Sequence, residues 1–584
     1  MSGGNLILIL NGEIDGEQMV ILTVFALLLM GTEPPFPAAA EEVCAATDSV
    51  PVRRGSWPAS EAALESLFAA HEPLLLGASH AEAQPSAVHP ERSLPTALRQ
   101  RLSWAAVGEA LGVVHAQSDL ASAPGIFPFH HRNALLSGVS PKADAVFAAR
   151  PVNEIAGVEL VRRLAQQRGA GRPRYFSSLI LKTSALEAGR ATPAIGHALL
   201  REVGVRQLAA AAKASSRSQL QANIWLGSTG SITPLHFDAS DNVFVQLQGS
   251  KRVWLLPPAA SLHLTLEPLH SAGHRQLAEA AGPMGSSRTS SLSTVEGRSR
   301  VLRGGSHQWR VAELGPGDAL LVPAYWLHHI ETVSAPEENA EEEKAGKGRS
   351  LSLSFWADSL SHAALLRLQK LDVPHDDAWE LARANGAIAA GSSSRLDAAA
   401  VYLRKLAVAA GISPQRAGRL LRQRYASYAA AAAAAAGGLE RMLGNGWVGL
   451  ERGCEPGGME AVAVLLWPFV AKGAPLLRRW PRTTNGTRSS TRSRSKQEDG
   501  GGGGNGTAAG EVANGETSEV ANGEAVQLLN LVYYAERLLP WTMGLRGDTA
   551  HKAPLALRRQ LPVLAMCLGG MLGGAEAEVE EGQV

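Results

Sequence analysis

The stretch Thr233-Pro234-Leu235-His236-Phe237-Asp238 places an imidazole and a carboxylate two positions apart. If this stretch is a β-strand, His236 and Asp238 project from the same face, because side chains at i and i+2 do so. Two such side chains can converge on one metal ion. Together they make up two-thirds of the two-histidine, one-carboxylate triad of non-haem Fe(II) sites. A complete site then requires another histidine on a nearby strand.

The best candidates for that third ligand are two adjacent histidines, His328 and His329, in the segment GDALLVPAYWLHHI of residues 317–330. A turn, a strand and an aromatic-rich corner would deliver them to the same region. Adjacent residues of a strand face opposite sides, so only one of the two can bind the metal. A triad leaves three positions of an octahedral ion open, two for 2-oxoglutarate and one for O2.

A lysine follows on the next strand-like run, in GSKRV of residues 249–253. Placed inward, Lys251 would make a charge-assisted hydrogen bond with the far carboxylate of 2-oxoglutarate. Each of these motifs alone has an ordinary structural reading, such as a surface pair, a solvated turn lysine or an aromatic corner. Their order favours a metal site, because Lys251 comes 13 residues after Asp238 and the paired histidines follow a Gly-x-Gly-Asp turn.

The surrounding pattern is one of short strands separated by Gly, Pro and Asp turns, which predicts an antiparallel sandwich or barrel. The runs are Asn223–Leu226, Asn242–Leu247, Lys251–Leu256, Ala319–Val322 and Ser350–Trp356. Two polar segments, residues 272–300 and 335–349, are predicted to be solvent-exposed insertions between strands.

A chain of 584 residues is too long for a single hydrophobic core, and its sequence pattern predicts six parts. The N-terminal extension contains an apolar run, Met19–Met30, that could act as a secretory signal, although cytoplasm or nucleus is favoured. After residue 360 the apolar spacing becomes helical, as in Leu396, Leu403 and Leu406. The parts are an extension (1–50), a mixed α/β part of the catalytic unit (51–174), a barrel (175–375), a helical region (376–481), a disordered linker (482–525), and C-terminal helices with a tail (526–584).

Composition excludes several classes of protein. The net charge of +1, with 19% charged residues, gives no global basic field to attract nucleic acid. The three cysteines are scattered, which argues against a disulfide scaffold and against a zinc cluster.

Residues 175–358 resemble the JmjC, cupin-like hydroxylases, and most closely the branch of the asparaginyl hydroxylase that inhibits the hypoxia-inducible factor. The likeness rests on Asn223–Gly227, Thr233–Asp238, Asn242–Arg252 and the histidine segment that ends at Ile330. It implies an α+β fold, a double-stranded β-helix (jelly-roll or cupin) barrel with flanking helices and a helical C-terminal region.

The resemblance also implies a set of site residues. The first histidine of the pair, His328, would join His236 and Asp238 as the iron ligands, with no catalytic residue beyond the metal centre. Ser354 stands where the family commonly has Asn, and Phe355 and Trp356 would close the pocket. The implied cosubstrate-binding residues are Tyr175, Thr233, Asn242, Lys251 and Ser354, and the implied pocket wall consists of Phe244, Ile330 and Trp356.

The expected function is a dioxygenase that uses Fe(II), 2-oxoglutarate and O2 to hydroxylate a protein side chain, with succinate and CO2 as co-products. The alternative is a hydroxylase of a modified tRNA base. Histone-lysine demethylation and a non-catalytic binding barrel rank lower, and the sequence has no DNA sequence reader. The apolar stripe of Leu396, Leu403 and Leu406 must be buried, so the C-terminal helices are expected either to cap the barrel within the chain or to form a homodimer.

Overall fold

The computed structural model describes helices and strands of one structural unit, Asp48–Val584. Apart from positions 59, 137, 138 and 272, the described residues are 49–76, 94–117, 135–139, 152–165, 174–187, 194–214, 220–278, 307–333, 348–370, 395–435, 459–478, 509–545 and 554–573. The apolar run Met19–Met30 lies outside these residues, so its role stays a prediction.

Three sheets contain the strands, which pair antiparallel except for β1 with β11 and β2 with β3. A five-stranded sheet, called sheet A here, has the order β1-β11-β10-β13-β8, and a seven-stranded sheet B has the order β2-β3-β12-β9-β14-β7-β6. Strands β4 and β5 form a separate pair. The strands are β1 Ser49–Pro51, β2 Arg54–Gly55, β3 Leu74–Leu76, β4 Val113–Gln117, β5 Val152–Ala156, β6 Tyr175–Lys182, β7 Leu220–Ser228, β8 Ile232–Phe237, β9 Ser240–Gln248, β10 Ser250–Leu256, β11 Trp309–Leu314, β12 Ala319–Val322, β13 Leu327–Val333 and β14 Arg349–Asp358.

Sheets A and B face each other across a shared inner core. Val253 and Leu255 from sheet A pack with Tyr175, Trp225 and Phe244 from sheet B in one buried cluster. Alternate residues of the same strands join other clusters, as the period of two requires. The sequence-predicted strand runs all fall within strands of these two sheets, so the coarse expectation of a mostly antiparallel β-sandwich with flanking helices is confirmed.

N-terminal helices cover the outer face of sheet B. They bury Leu64, Leu98 and Val107 against outward residues of that sheet such as Val243 and Leu353. These helices are α1 Glu61–Ala69, α2 Leu94–Arg101, α3 Trp104–Leu111, α4 Gly157–Ala165, α5 Thr183–Glu187, α6 Ala194–Leu199 and α7 Val203–Ala214.

The C-terminal helices cover the outer face of sheet A. The predicted stripe of Leu396, Leu403 and Leu406 is buried in one cluster with Leu235 and Trp254 of that sheet. These helices therefore form an intramolecular cap, as one of the two sequence readings proposed. They are α8 Leu360–Gln369, α9 Arg395–Ala410, α10 Pro414–Ala435, α11 Met459–Leu477, α12 Ala509–Thr542 and α13 Leu555–Gly573.

Helix α13 is long and apolar enough to cross a membrane by length and composition. In this structure it packs on α10 at a crossing where two glycines meet. A Cβ on Gly418 would lie 2.3 Å from the carbonyl oxygen of Gly569. Its central residues, including Leu564 and Leu568, are buried in the C-terminal cluster, as expected for a core helix of a folded protein.

Three predicted boundaries are wrong. The linker predicted over residues 482–525 ends too late, because α12 begins at Ala509, and Asn522 within it accepts a hydrogen bond from the Ala259 amide. Tertiary contacts there outweigh a Gly- and Asn-rich composition. The insertion predicted from residue 272 begins too early, because Gln276 is 3% exposed and pairs with strand β8. The second insertion overlaps the start of β14 at Arg349.

Candidate metal centre

Three side chains meet on the inner face of sheet A. His236 lies near the end of β8, Asp238 directly follows that strand, and His328 of β13 is directly opposite His236. One ligand atom from each lies within 4.8 Å of the others. The Asp238 Oδ2 atom is 4.0 Å from His236 Nε2 and 3.8 Å from His328 Nε2. The histidine side chains are buried, whereas the carboxylate is 28% exposed, so the centre opens to solvent on the Asp238 side.

Main-chain carbonyls hold both histidines in the form that a metal needs. His236 Nδ1 lies 2.8 Å from the Pro234 carbonyl oxygen, and His328 Nδ1 lies 2.9 Å from that of Trp326. A carbonyl accepts only, so each Nδ1 carries the proton and each Nε2 presents a lone pair. Burial, followed by the neighbouring His328, lowers the pKa of His236 to about 3, which keeps that ring neutral.

A β-bulge in β8 brings Thr233 to the same face as His236. His328 is opposite His236, but Ile330, two residues further along β13, is opposite Thr233, three residues back along β8. The extra residue falls at Pro234-Leu235, where proline removes a ladder donor. Without the bulge, a period of two would place Thr233 on the outer face.

Lys251 lies deep in the same inner core. Its side chain is 1% exposed, and its ammonium nitrogen donates to the Tyr175 hydroxyl at 3.2 Å. The Tyr175 hydroxyl is also 3.2 Å from Thr233 Oγ1, so the structure brings these three predicted residues together. The ammonium also lies 5.0 Å from the Tyr175 ring centroid. Within the described ranges no carboxylate pairs with Lys251, so its charge is left for an anion.

Glycine makes the position of Tyr175 possible. Gly227 of β7 is directly opposite Tyr175 of β6. A Cβ on Gly227 would lie 2.7 Å from Cδ2 of the tyrosine ring. The ring therefore lies across the β7 backbone, where it stacks on Trp225 with centroids 5.8 Å apart.

Polar atoms from sheet B face the same interior. Asn242 of β9 is opposite Trp356 of β14, and the buried Asn242 Oδ1 and Trp356 Nε1 have no hydrogen-bond partner in the described part of the chain. Ser354 accepts a hydrogen bond of 2.9 Å from Trp225 Nε1, so its first partner is a protein side chain. Unpartnered polar atoms in a buried region are typical of a site that a ligand or water completes.

The three predicted wall residues border this interior, but one further residue does not. Phe244 and Ile330 are buried in the inner core, and Trp356 packs against it. Phe355 lies in the outer cluster under the N-terminal helices, so its predicted place in the pocket is wrong. The reason is strand alternation: Phe355 and Trp356 are adjacent on β14 and project to opposite faces.

Sequence reasoning missed Gln276. It is opposite His236 in an isolated antiparallel bridge, and residues opposite each other project to the same face. The Gln276 side chain therefore lies beside the triad, and its buried Nε2 has no partner in the described ranges. No local pattern marks Gln276 as a site residue, because it lies within residues 272–300, whose composition is typical of a loop.

His329 lies on the other side of β13. Its Nε2 is 3.1 Å from Glu331 Oε1, and its Cα partner on β10 is Trp254. The side chain is 0% exposed. Strand alternation thus separates the two adjacent histidines, one facing the triad and one facing the C-terminal cluster.

Comparison with known proteins places a domain over this site. Residues 141–361 match the family model described as "Cupin-like domain". JmjC domain-containing protein F of Dictyostelium discoideum is 30% identical over 137 residues, which cover 23% of this chain and 26% of that protein. The tRNA wybutosine-synthesizing protein 4 of Gibberella zeae is 32% identical over 114 residues, 20% of this chain and 8% of that protein.

Human HSPB1-associated protein 1 is 30% identical over 121 residues, 20% of this chain and 22% of that protein. The chain thus spans about a quarter or less of the length of these relatives. The closer likeness to the asparaginyl hydroxylase branch stays a prediction. The family model and the Dictyostelium relative lead to one conclusion: residues 141–361 form a cupin-like domain, and part of the chain is similar to a JmjC domain-containing protein.

Proposed function

We propose that this protein is an Fe(II)- and 2-oxoglutarate-dependent dioxygenase that hydroxylates a protein side chain. We also propose that the two facing sheets form a double-stranded β-helix. From β7 to β10, consecutive strands alternate between sheets B and A, and they do so again from β11 to β14. Such winding supports a double-stranded β-helix, with the site at its inner face.

The observation that carries the proposal is the buried ammonium of Lys251. A lone buried cation is costly unless a partner neutralises it. Its neighbours, the hydroxyls of Tyr175 and Thr233, can donate to the same anion. A dicarboxylate held by this group at one end would reach towards the triad with the other. 2-Oxoglutarate has that length and charge.

The donor set fits iron. Two neutral imidazole nitrogens and one carboxylate, all from one face, match the facial triad of non-haem Fe(II) oxygenases and leave adjacent positions open. His236, Asp238 and His328 would hold the ion. When bound, Fe(II) would supply activation of O2, which is the oxidant: one of its oxygen atoms enters a C–H bond of the substrate, and the other enters succinate as 2-oxoglutarate loses CO2. The chain itself supplies binding, orientation and exclusion of water.

The residues around the triad have distinct tasks in this proposal. Lys251, Tyr175 and Thr233 bind the far carboxylate of the cosubstrate. The unpartnered Asn242 Oδ1 and Trp356 Nε1 meet polar atoms or water near the metal. The Gln276 amide, which lies beside His236 and has no partner for its Nε2 in the described ranges, can bind a polar group of the primary substrate.

The test is succinate release from 2-oxoglutarate by the full-length protein with added Fe(II), with and without O2. Turnover that needs both Fe(II) and O2, and that is lost in the His236→Ala, Asp238→Ala variant, supports the proposal. Wild-type protein that neither binds nor turns over 2-oxoglutarate would contradict the proposed function. Mass spectrometry of protein that co-purifies with wild type and with the variant would then seek a mass increase of one oxygen atom that depends on the triad.

A second candidate is hydroxylation of a modified tRNA base. One observation favours it, namely the similarity to a protein named for wybutosine synthesis in tRNA. The match covers only 8% of that protein, so the likeness is confined to a domain. Nucleoside analysis of co-purified RNA, run beside the protein analysis, separates the two candidates. An oxidised nucleoside that is found only with the intact triad would favour the tRNA base over a protein side chain as the substrate.

A further inference from the structure

One loop connects the triad to the C-terminal helices. We call residues 264–271 and 273–278 the bridge segment. It doubles back on itself through a hydrogen bond of 2.7 Å from the Glu267 amide to the Gln276 carbonyl oxygen. Its second arm docks on β8, where the Leu277 amide donates to the Leu235 carbonyl oxygen at 2.9 Å and Gln276 is opposite His236.

Helix α10 contacts the first arm of the bridge segment. Arg424 Nη2 donates to the Glu267 carbonyl oxygen at 2.9 Å. The Tyr428 hydroxyl donates to the Glu267 carboxylate and lies 2.9 Å from Ser271 Oγ, which can donate to it in turn. Both helix residues are buried, so the contacts are shielded from water.

Helix α12 contacts the same arm from another side. Glu536 Oε2 accepts from the Leu269 amide at 3.2 Å, and the Glu536 carbonyl oxygen lies 2.8 Å from His270 Nε2. Arg424 Nε and Glu536 Oε1 are 3.2 Å apart, with side chains 2% and 0% exposed. The Arg275 guanidinium lies over the rings of Phe237 and Tyr533, at 5.6 and 5.4 Å, and so connects β8 with α12.

A second contact reaches the metal ligand itself. The Tyr325 amide donates to the Asp238 carbonyl oxygen at 2.7 Å, and the Tyr325 hydroxyl donates to Asn530 Oδ1 of α12 at 2.7 Å. A buried ion pair such as Arg424–Glu536 is a weak source of stability, because desolvation offsets its attraction. Its contacts with main-chain atoms of the bridge segment instead fix where that segment lies.

We propose that α10 and α12 hold the bridge segment against β8 through Arg424, Tyr428 and Glu536, which makes these three the positioning residues for Gln276 beside the triad. This inference rests on the proposed function for its consequence, but its physical content is a coupling between two parts of the fold. The C-terminal helices then complete the site as well as covering sheet A.

The test uses amide hydrogen exchange of the full-length, metal-free protein, followed by mass spectrometry. In Tyr428→Phe we expect exchange in peptides covering residues 264–278 to rise roughly fivefold, the effect of one lost hydrogen bond. Tyr425→Phe is the matched control on the same helix, because the buried Tyr425 hydroxyl has no hydrogen-bond partner in the described ranges. It should leave exchange in those peptides unchanged.

A double variant, Arg424→Leu with Glu536→Leu, removes both buried charges together and leaves no unpaired charge behind. It should raise exchange in residues 264–278 more than Tyr428→Phe does. Exchange that rises throughout α10 and α12 but not in the bridge segment would show a merely structural role and overturn the inference. Unchanged exchange in 264–278 in both variants would do the same.

An activity measurement separates this inference from the proposed function. In Tyr428→Phe, the KM for 2-oxoglutarate, measured by succinate release, should stay within about twofold of wild type, because Lys251 is held by its hydrogen bond to Tyr175, which lies outside the bridge segment. A KM raised tenfold would place the effect in the cosubstrate pocket and contradict the inference. If the wild type shows no turnover, the proposed function fails, while the exchange experiment still decides the coupling.

Discussion

The two faces of sheet A are built from the same strands and have opposite chemistry. The inner face carries His236, His328 and Lys251, polar side chains with atoms left for a ligand. The outer face carries Phe237, His329 and Trp254, which pack under the C-terminal helices or bond within the protein. The difference teaches that function on this sheet is decided by strand register, since one residue of slippage would exchange the two sets.

The strongest test of this comparison exchanges adjacent histidines. His328→Ala should abolish 2-oxoglutarate turnover, because it removes a triad donor. His329→Ala should retain most turnover and lose roughly 1–3 kcal/mol of folding stability, because it leaves the buried Glu331 without its partner. Succinate release and thermal unfolding measure the two effects. Turnover lost in His329→Ala but kept in His328→Ala would show that the faces are assigned the wrong way round.

The second test removes the inner-face charge. Lys251→Met should weaken 2-oxoglutarate binding by about 2–5 kcal/mol, because the far carboxylate loses its cation. That loss corresponds to roughly 30-fold or more in Kd. The same change should leave Mn(II) affinity near that of wild type, since Lys251 is not in the triad. Arg252→Met is the matched control, because Arg252 projects outward to pair with Glu313. Equal cosubstrate affinity in both variants would contradict the assignment.

The third test addresses the packing that supports the outer face. Gly418→Ala should destabilise the protein by roughly 1–3 kcal/mol, because its Cβ would clash with the Gly569 carbonyl oxygen where α10 crosses α13. Gly570→Ala is the control, because its Cβ would meet only Arg422 Nη1 at 3.8 Å. It should be neutral or stabilising through helix propensity. Thermal unfolding compares the two, and equal midpoints would show that the helices can move apart freely.

The last test concerns a pH dependence of stability beneath the outer face, whose effect at any single pH step is small. Burial raises the pKa of Glu536 to about 7, and nearby Arg424 opposes the shift. The folded protein therefore holds this proton where the unfolded chain, with an ordinary pKa near 4.5, has lost it. Stability from this group should fall as pH rises from 4.5 to 7, by at most about 1.4 kcal/mol per pH unit. Glu536→Gln should remove that slope in urea unfolding measured across this range, and an unchanged slope would contradict the shift.

Much of the β-region could be predicted because its signals are local. Alternation and turns place runs such as Asn242–Leu247 and Lys251–Leu256 on strands. The pair Ser413-Pro414 is a similarly local feature, because Ser413 Oγ accepts a hydrogen bond from the Arg416 amide at the start of α10. His236 and Asp238 could be paired from spacing alone. The choice of His328 over His329 required the resemblance to a known family. Their adjacency on a strand shows only that the two side chains project to opposite faces.

The remaining features depend on contacts distant in sequence. The bulge at Pro234-Leu235 is visible only in the pairing of β8 with β13, so spacing alone would have put Thr233 on the wrong face. Gln276 enters the site through its bridge to His236, which no local pattern encodes. The helical residues before 525 are fixed by contacts such as that of Asn522 with Ala259, against their own composition. The remaining domain boundaries and the homodimer stay predictions.

The direct pairing of His236 with His328 has a consequence for how the chain acquires its site. Strand β8 pairs with β13, a strand distant from it in sequence, so the triad depends on a non-local contact of the kind that slows folding. The cost of closing the intervening chain grows only with the logarithm of its length, about 0.6 kcal/mol for each doubling. Outside the bridge segment, the chain between β10 and β11 and that between β13 and β14 can therefore vary in length during evolution, with little effect on the equilibrium that assembles the triad.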